Sequence, residues 1–383
     1  MPSVPELWWQ LRGAFRINTP AFDEFPVNIW SKLMVRHTRS LSRGLMEYGD
    51  LMGYMPLRSV IAQYLATFRG VRCEPSQVLI TTGSQQALQI SAHALMEVGD
   101  RIMMEEPGYP SAQQTVLARG GCLLPVPVDE NGMQVERLPH GPDAPLLVYT
   151  TPSHQYPLGN RLAIDRRLAL LAWAQANDSL IIEDDYDSEF RFDASPLPAL
   201  ASLDEVGRVA YIGTFSKVLT PALRVGYLVG PPRLCERIRQ LNYLTDEQVS
   251  WPLQQMLAAF IAGGHLDRHI RRMRHEYAQK RRILAQTLAP IAHLARLRGL
   301  DAGLHVYIEL GPSISAMRVA RLAQQRNVIV TSLAPYYLGR SDRSGLLLGY
   351  ASLEIPEIIQ GIMVLREIIE QVATPDGHPY GRE

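Results

Sequence analysis

The stretch "TFSKVLTPALRVGY", residues 214–227, puts Lys217 just after an apolar, strand-like run and Arg224 seven residues further on. Two readings of that lysine are open: a solvated surface charge, or an amine in a pocket that sheds its proton and attacks a carbonyl to give a Schiff base. A second run, "SLIIEDDYDSEF", drives an apolar strand into Asp184, Asp185 and Asp187. Carboxylates so placed suit a hard metal such as Mg²⁺, a protonated nitrogen of a bound aromatic ring, or a plain solvated turn. In "TTGSQQAL" a strand passes through a glycine turn into a helix, whose free N–H groups and dipole favour a phosphate. Finally, "EEPGYP" offers Tyr109 as an aromatic plate at another strand end.

These residues need a scaffold that brings strand ends together. Between residues 77 and 230 short apolar runs, among them "QVLITTG", "DRIMMEEP", "CLLPVPVD", "PLLVYTTP", "SLIIEDDY", "RVAYIGTF" and "VGYLVGP", alternate with helical segments. That alternation predicts an α/β fold with a mostly parallel sheet covered on both faces. Five runs end in polar or glycine-containing turns, and in open α/β sheets ligands bind at the carboxyl ends of the strands. The turns are therefore expected to converge. An amine, a carboxylate, an anion nest and a stacking ring are together what a pyridoxal 5′-phosphate site requires.

The chain has 383 residues, 46% hydrophobic and 20% charged, with 38 basic residues against 38 acidic ones. At that size a large domain plus a smaller one is expected, and the zero net charge gives no electrostatic reason for a nucleic-acid partner. We read an arm and short helix over 1–45, a large cofactor-binding domain over 46–285 and a small C-terminal α/β domain over 286–383. Trp8 and Trp9 are expected to pack the arm onto the body or a partner subunit. Three scattered cysteines fit a reducing cytoplasm better than a disulfide framework, and no run is long and apolar enough to span a membrane. The basic run "DRHIRRMRHEYAQKRR" reads as one long helix with a solvated face rather than a DNA-binding element. His265 and His269 stand at i, i+4 but without a third ligand, so no metal is expected.

With those motifs in order, the chain resembles the fold type I, aspartate-aminotransferase-like enzymes that use pyridoxal 5′-phosphate. Within them it is similar to the aminotransferase-like domain of the MocR (GntR-type) regulators. The likeness rests on "YGDLMGYMPLR", "TTGSQQAL", "EEPGYP", "TPSHQYPLG", "IIEDDYDSEFRF" and "TFSKVLTPALRVGY", and extends through "GLHVYIEL" to "LLLGYA". It implies that Lys217 is the internal aldimine lysine, Asp184 the partner of the pyridinium nitrogen and Tyr186 a hydrogen-bond partner of the ring hydroxyl. It further implies that Tyr109 stacks on the ring, and that Gly83, Ser84, Gln85, Thr214, Ser216 and Arg224 hold the phosphate. His154 and Gln155 fall near the ring hydroxyl, and Tyr48 reaches the phosphate of a neighbouring subunit, which implies a homodimer with shared sites.

The sequence departs from the resemblance twice. It starts at what resembles the linker and arm, with no winged helix-turn-helix segment ahead of it, which we read as a free-standing enzyme rather than a piece of a regulator. In addition, Pro335 and Leu347 stand where relatives place arginines that grip a substrate carboxylate. Arg340 and Arg343, with Tyr336 nearby, are the candidates to replace them, unless the substrate lacks an ordinary α-carboxylate. The expected activity is an aminotransferase-type reaction on an amino acid or amine. The other reading is an effector-sensing domain that binds without turnover.

Overall fold

The structure is a computed structural model that describes residues 15–39, 46–192, 197–245, 248–339 and 343–374. Trp8, Trp9 and Arg340 lie outside the described residues.

An eight-stranded sheet carries most of the sequence motifs. Its strands are β1 (Val78–Thr81), β2 (Arg101–Glu106), β3 (Cys122–Asp129), β4 (Gly132–Met133), β5 (Leu147–Thr150), β6 (Leu180–Asp185), β7 (Val209–Thr214) and β8 (Gly226–Val229), in spatial order β1-β8-β7-β6-β5-β2-β3-β4. The ladder from β7 through β6, β5 and β2 to β3 is parallel. Central parallel strands are covered on both faces, so β5 and β7 are buried at every position, which is why they read as apolar runs without alternation. Pro125 and Pro127, which cannot donate to a ladder, sit in β3 near the sheet edge, as expected for strand prolines.

The β8 strand is antiparallel to both of its neighbours, β1 and β7. Those two strands therefore run the same way, and Thr81 and Thr214 both register against Gly226. The carboxyl ends of β1, β2, β5, β6 and β7 thus open on one side, bringing the five polar turns together. The two-residue β4 has no periodicity from which a strand could be read.

A second, four-stranded antiparallel sheet follows, formed by β9 (Ala295–Arg298), β10 (His305–Leu310), β11 (Thr331–Ser332) and β12 (Gly345–Gly349), in the order β11-β12-β10-β9. The basic run is one helix over His265–Leu288, with Met273, Tyr277 and Leu284 buried on its inner face. His269 is buried there too, and burial pushes its imidazole down to about 4. Among the described residues, no helix is long and apolar enough to cross a membrane.

The arm is strapped across the second sheet. The Gly349 N–H donates to the Phe15 carbonyl at 3.0 Å, and a Cβ on Gly349 would overlap the Arg16 carbonyl oxygen. Phe15 is buried against Gly361 in the helix Ile355–Ala373, where a Cβ would likewise overlap its ring. Further along, the Tyr277 hydroxyl accepts from the Ala21 N–H at 3.0 Å, and Trp30 packs edge-on against Phe260. Gly349→Ala is accordingly expected to destabilise the protein by about 1–3 kcal/mol, the usual cost of overpacking. Urea unfolding checks this, and an unchanged midpoint would mean that the strap can shift.

Candidate active site

A cavity of about 510 Å³ opens at the carboxyl ends of the parallel strands. Its lining includes Ser84, Gln85, Tyr109, Asp184, Tyr186, Thr214, Ser216, Lys217 and Arg224, so nine of the thirteen residues expected at the cofactor meet in one place. The arm closes another side with Arg16, Asn18, Thr19 and Phe22.

Lys217 follows β7 on the "TFSK" turn, and its Nζ donates to the Asn18 carbonyl at 3.0 Å. Burial lowers its ammonium from the usual 10.5 to about 8, although Asp187 and Asp184 pull the other way. An amine that is partly neutral near pH 8 is a usable nucleophile, which an exposed lysine is not.

The three aspartates of "EDDYD" diverge, because successive strand residues alternate faces. Asp184, the next-to-last residue of β6, lines the cavity; its Oδ2 accepts from the Tyr149 hydroxyl at 2.7 Å, while its buried Oδ1 has no partner among the described residues. Burial lifts this carboxyl to about 7, with the Tyr149 bond and Lys217 opposing. A buried, unpartnered acceptor is costly, and a cationic N–H of a bound ring is the partner that would satisfy it. Asp185 points to the other face, against Arg69 at 2.6 Å and the Tyr211 hydroxyl at 2.6 Å. Burial alone would raise Asp185, but Arg69 holds it below the usual carboxylate range. Asp187 meets His154 Nδ1 at 2.9 Å.

His154 lies one layer behind Tyr186 rather than on the cavity. An ionised Asp187 can only accept, so His154 Nδ1 carries the proton. The Tyr186 oxygen, 2.9 Å from the same nitrogen, is then an acceptor as well, which leaves its O–H free to donate into the cavity. Gln155 is fully buried and spent on backbone groups, donating to the Pro107 and Tyr156 carbonyls at 2.8 Å and accepting from the Leu158 N–H at 3.1 Å. The member of "SHQYP" that lines the cavity is Tyr156, whose hydroxyl accepts from Asn18 Nδ2 at 3.0 Å and whose ring meets Tyr109 edge-on.

At the anion end, Gly83 takes φ 124°, a conformation that favours glycine, and caps the helix Ser84–Leu95. Arg224 sits beside it: a Cβ on Gly83 would come within 3.3 Å of the guanidinium. Arg224 is itself left-handed at φ 49°, a conformation that costs a non-glycine residue roughly 1–2 kcal/mol. Outliers of this kind cluster at binding sites. The Gln85 side-chain amide is partly committed, donating to Thr115 at 2.8 Å.

The remaining expected residues lie elsewhere. Tyr48 is 84% exposed and outside its own chain's cavity. Tyr336 is buried behind Tyr156, its carbonyl accepting from the Gly108 N–H. Arg343 donates to the Val128 carbonyl at 3.1 Å and lines a separate groove with Asp129 and Glu309. Sequence reasoning missed Tyr149, Tyr156, Arg16 and Asn18. Tyr149 stood in plain view at the end of a predicted strand, whereas the arm residues carry no motif and reach the site only through the strap.

These residues fit pyridoxal 5′-phosphate: a nucleophilic amine, a carboxyl with a free acceptor, a donating phenol and a guanidinium beside a glycine-capped helix start. The comparisons agree. The model of the family "Aminotransferase class I and II" matches residues 15–347. The chain is 36% identical to the probable rhizopine catabolism regulatory protein MocR of Rhizobium meliloti, over 97% of this chain and 75% of that one. It is 30% identical to the 2-aminoadipate transaminase of Thermus thermophilus, over 91% of this chain and 88% of that one. Among solved structures, the kynurenine aminotransferase of Pyrococcus horikoshii superposes with a TM-score of 0.90 at 26% identity, covering 98% of this chain and 96% of that one. The chain thus belongs to the class I and II aminotransferase family, has the fold type I architecture expected from its motifs, and takes pyridoxal 5′-phosphate as its cofactor.

Proposed function

We propose that the protein is an aminotransferase-type enzyme that acts on an amino acid or amine through a covalent bond at Lys217. The observation that carries this reading is the pairing, in one cavity, of an amine lowered to about 8 with a carboxyl whose buried Oδ1 has no partner among the described residues. Pyridoxal 5′-phosphate, when bound, supplies an aldehyde for that bond and a ring that accepts electrons.

Each residue then has one task. Arg224, Ser84, Thr214 and Ser216 hold the phosphate, and Tyr109 packs on the ring. Asp184 keeps a proton on the ring nitrogen, with Tyr149 fixing its other oxygen. Tyr186 donates to the ring hydroxyl, supported from behind by His154. Lys217, once displaced by the substrate amine, is the base that moves the substrate's Cα proton. Tyr48, exposed in its own chain, is free of its own cavity and supports a homodimer in which it reaches the partner's phosphate.

A second reading has its own support in the 36% identity to a MocR regulator: the same site senses an amino compound without turnover. Incubation of the cofactor-loaded protein with amino donors and 2-oxo acids separates the two. We expect more than one equivalent of new amino acid per site; a spectral change that stops at one equivalent, with no released product, would favour the sensor.

A further inference from the structure

Of the two arginines expected at the substrate end, Arg343 lies away from the cavity, and Arg340 lies outside the described residues. Leu347 is fully buried in an apolar cluster with Tyr156, Tyr307 and Tyr336. Pro335 lies in a short 3₁₀ turn, Ala334–Tyr336, and Arg343 serves a different groove. Yet an arginine other than Arg224 does line the cavity, and it comes from the arm: Arg16.

The two arginines are held by independent elements. Arg224 is fixed beside Gly83, at the helix start suited to a phosphate. Arg16 is fixed by the strap, with the Phe15 carbonyl bound to the Gly349 N–H and the Arg16 carbonyl pressed onto Gly349. Phe15, itself left-handed at φ 65°, is anchored inward under Gly361, while Arg16 lines the cavity. Two residues on, Asn18 takes the left-handed φ of 61° and ties the arm to the site twice, through its amide to the Tyr156 hydroxyl and its carbonyl to Lys217. Arg16, Asn18 and Tyr156 therefore form one polar wall beside the reactive amine. A guanidinium fork matched to a carboxylate is the strongest such recognition available to a side chain.

We propose that Arg16, with Asn18 and Tyr156, forms the substrate-carboxylate subsite, so that the arm supplies the guanidinium that Pro335 and Leu347 do not, and makes amino acids, rather than simple amines, the substrate class. This rests on the cofactor-dependent reading above. The strap crosses Gly349 at the end of β12, and Arg16 lines the same cavity as Tyr156 and Lys217.

The test is a spectral titration of the cofactor-loaded protein with alanine, leucine, glutamate, phenylalanine and lysine, each paired with the primary amine left by removing its α-carboxyl. The variants are Arg16→Gln and Arg16→Lys. We expect Arg16→Gln to bind cofactor normally and to weaken its amino acids about ten- to a hundredfold, the worth of a charge-assisted hydrogen bond, while amine binding stays unchanged. Arg16→Lys should recover part of the loss, which also shows that the arm still folds. Amino-acid binding by Arg16→Gln equal to wild type, equal losses for acids and amines, or a wild type that responds only to amines would each overturn the proposal. A wild-type protein that takes up no cofactor would instead overturn the reading on which it rests.

Discussion

Lys217→Ala should take up cofactor through the phosphate and ring contacts, hold it without a covalent bond, and turn over about 10²–10⁴ times more slowly, the usual contribution of a positioned proton-transfer group. The size follows from the environment. Lys217 faces Asp184 and Asp187, which favour the ammonium, yet burial outweighs them and leaves the amine near 8. Its neutral fraction therefore grows as the pH rises from about 7 to 9, where an ordinary lysine at 10.5 stays almost wholly charged. Covalent capture of the cofactor by the apoprotein should quicken over that window and level off above it. Stopped-flow absorbance checks this; capture that keeps rising towards pH 10.5 would mean that the amine is not perturbed.

The second large effect belongs to Asp184. Asp184→Asn keeps the shape and the reach to Tyr149 but removes the charge that holds a proton on the ring nitrogen. Breaking one side of a buried ion pair costs about 3–5 kcal/mol, so turnover should fall by about 10²–10⁴, with the cofactor still bound. Tyr149→Phe offers a finer probe of the same carboxyl. The Tyr149 bond lowers Asp184, so its loss should move the carboxyl further up and shift the pH profile of turnover, not merely its height. An Asp184→Asn protein as active as wild type would remove Asp184 from the chemistry.

The parallel sheet was legible because buried central strands leave continuous apolar runs, and the site was legible because each run ended in a turn with its own chemistry. "TTGSQQ", "EEPGYP", "EDDYD" and "TFSK" could be read one by one, and the topology only had to bring them to one edge. What failed to show were features set by tertiary contact. β8 reads like its neighbours yet runs the other way, since one strand's pattern does not encode its direction. "SHQYP" could not reveal which of its residues faces the cavity. There Gln155 turns back to bind three backbone groups, and Tyr156, the more apolar side chain, takes the wall. Arg16 and Asn18 were hidden for a different reason: they lie about 200 residues from Lys217, and their place depends on the fit of a bare backbone onto Gly349.

The same physics explains the division within "EDDYD". One strand end presents Asp184 to the cavity, Asp185 to Arg69 and, past the strand, Asp187 to His154. The acidic run is neither a solvated turn nor a single cluster. Each carboxylate meets a different partner, and Asp184 is the one that lines the site.

The most direct test of the central claim is borohydride reduction of the cofactor-loaded protein, followed by peptide mass mapping. The account predicts one added phosphopyridoxyl group per chain, on the peptide that carries Lys217, and none in Lys217→Ala. A stable adduct on another lysine, or none despite bound cofactor, would contradict it.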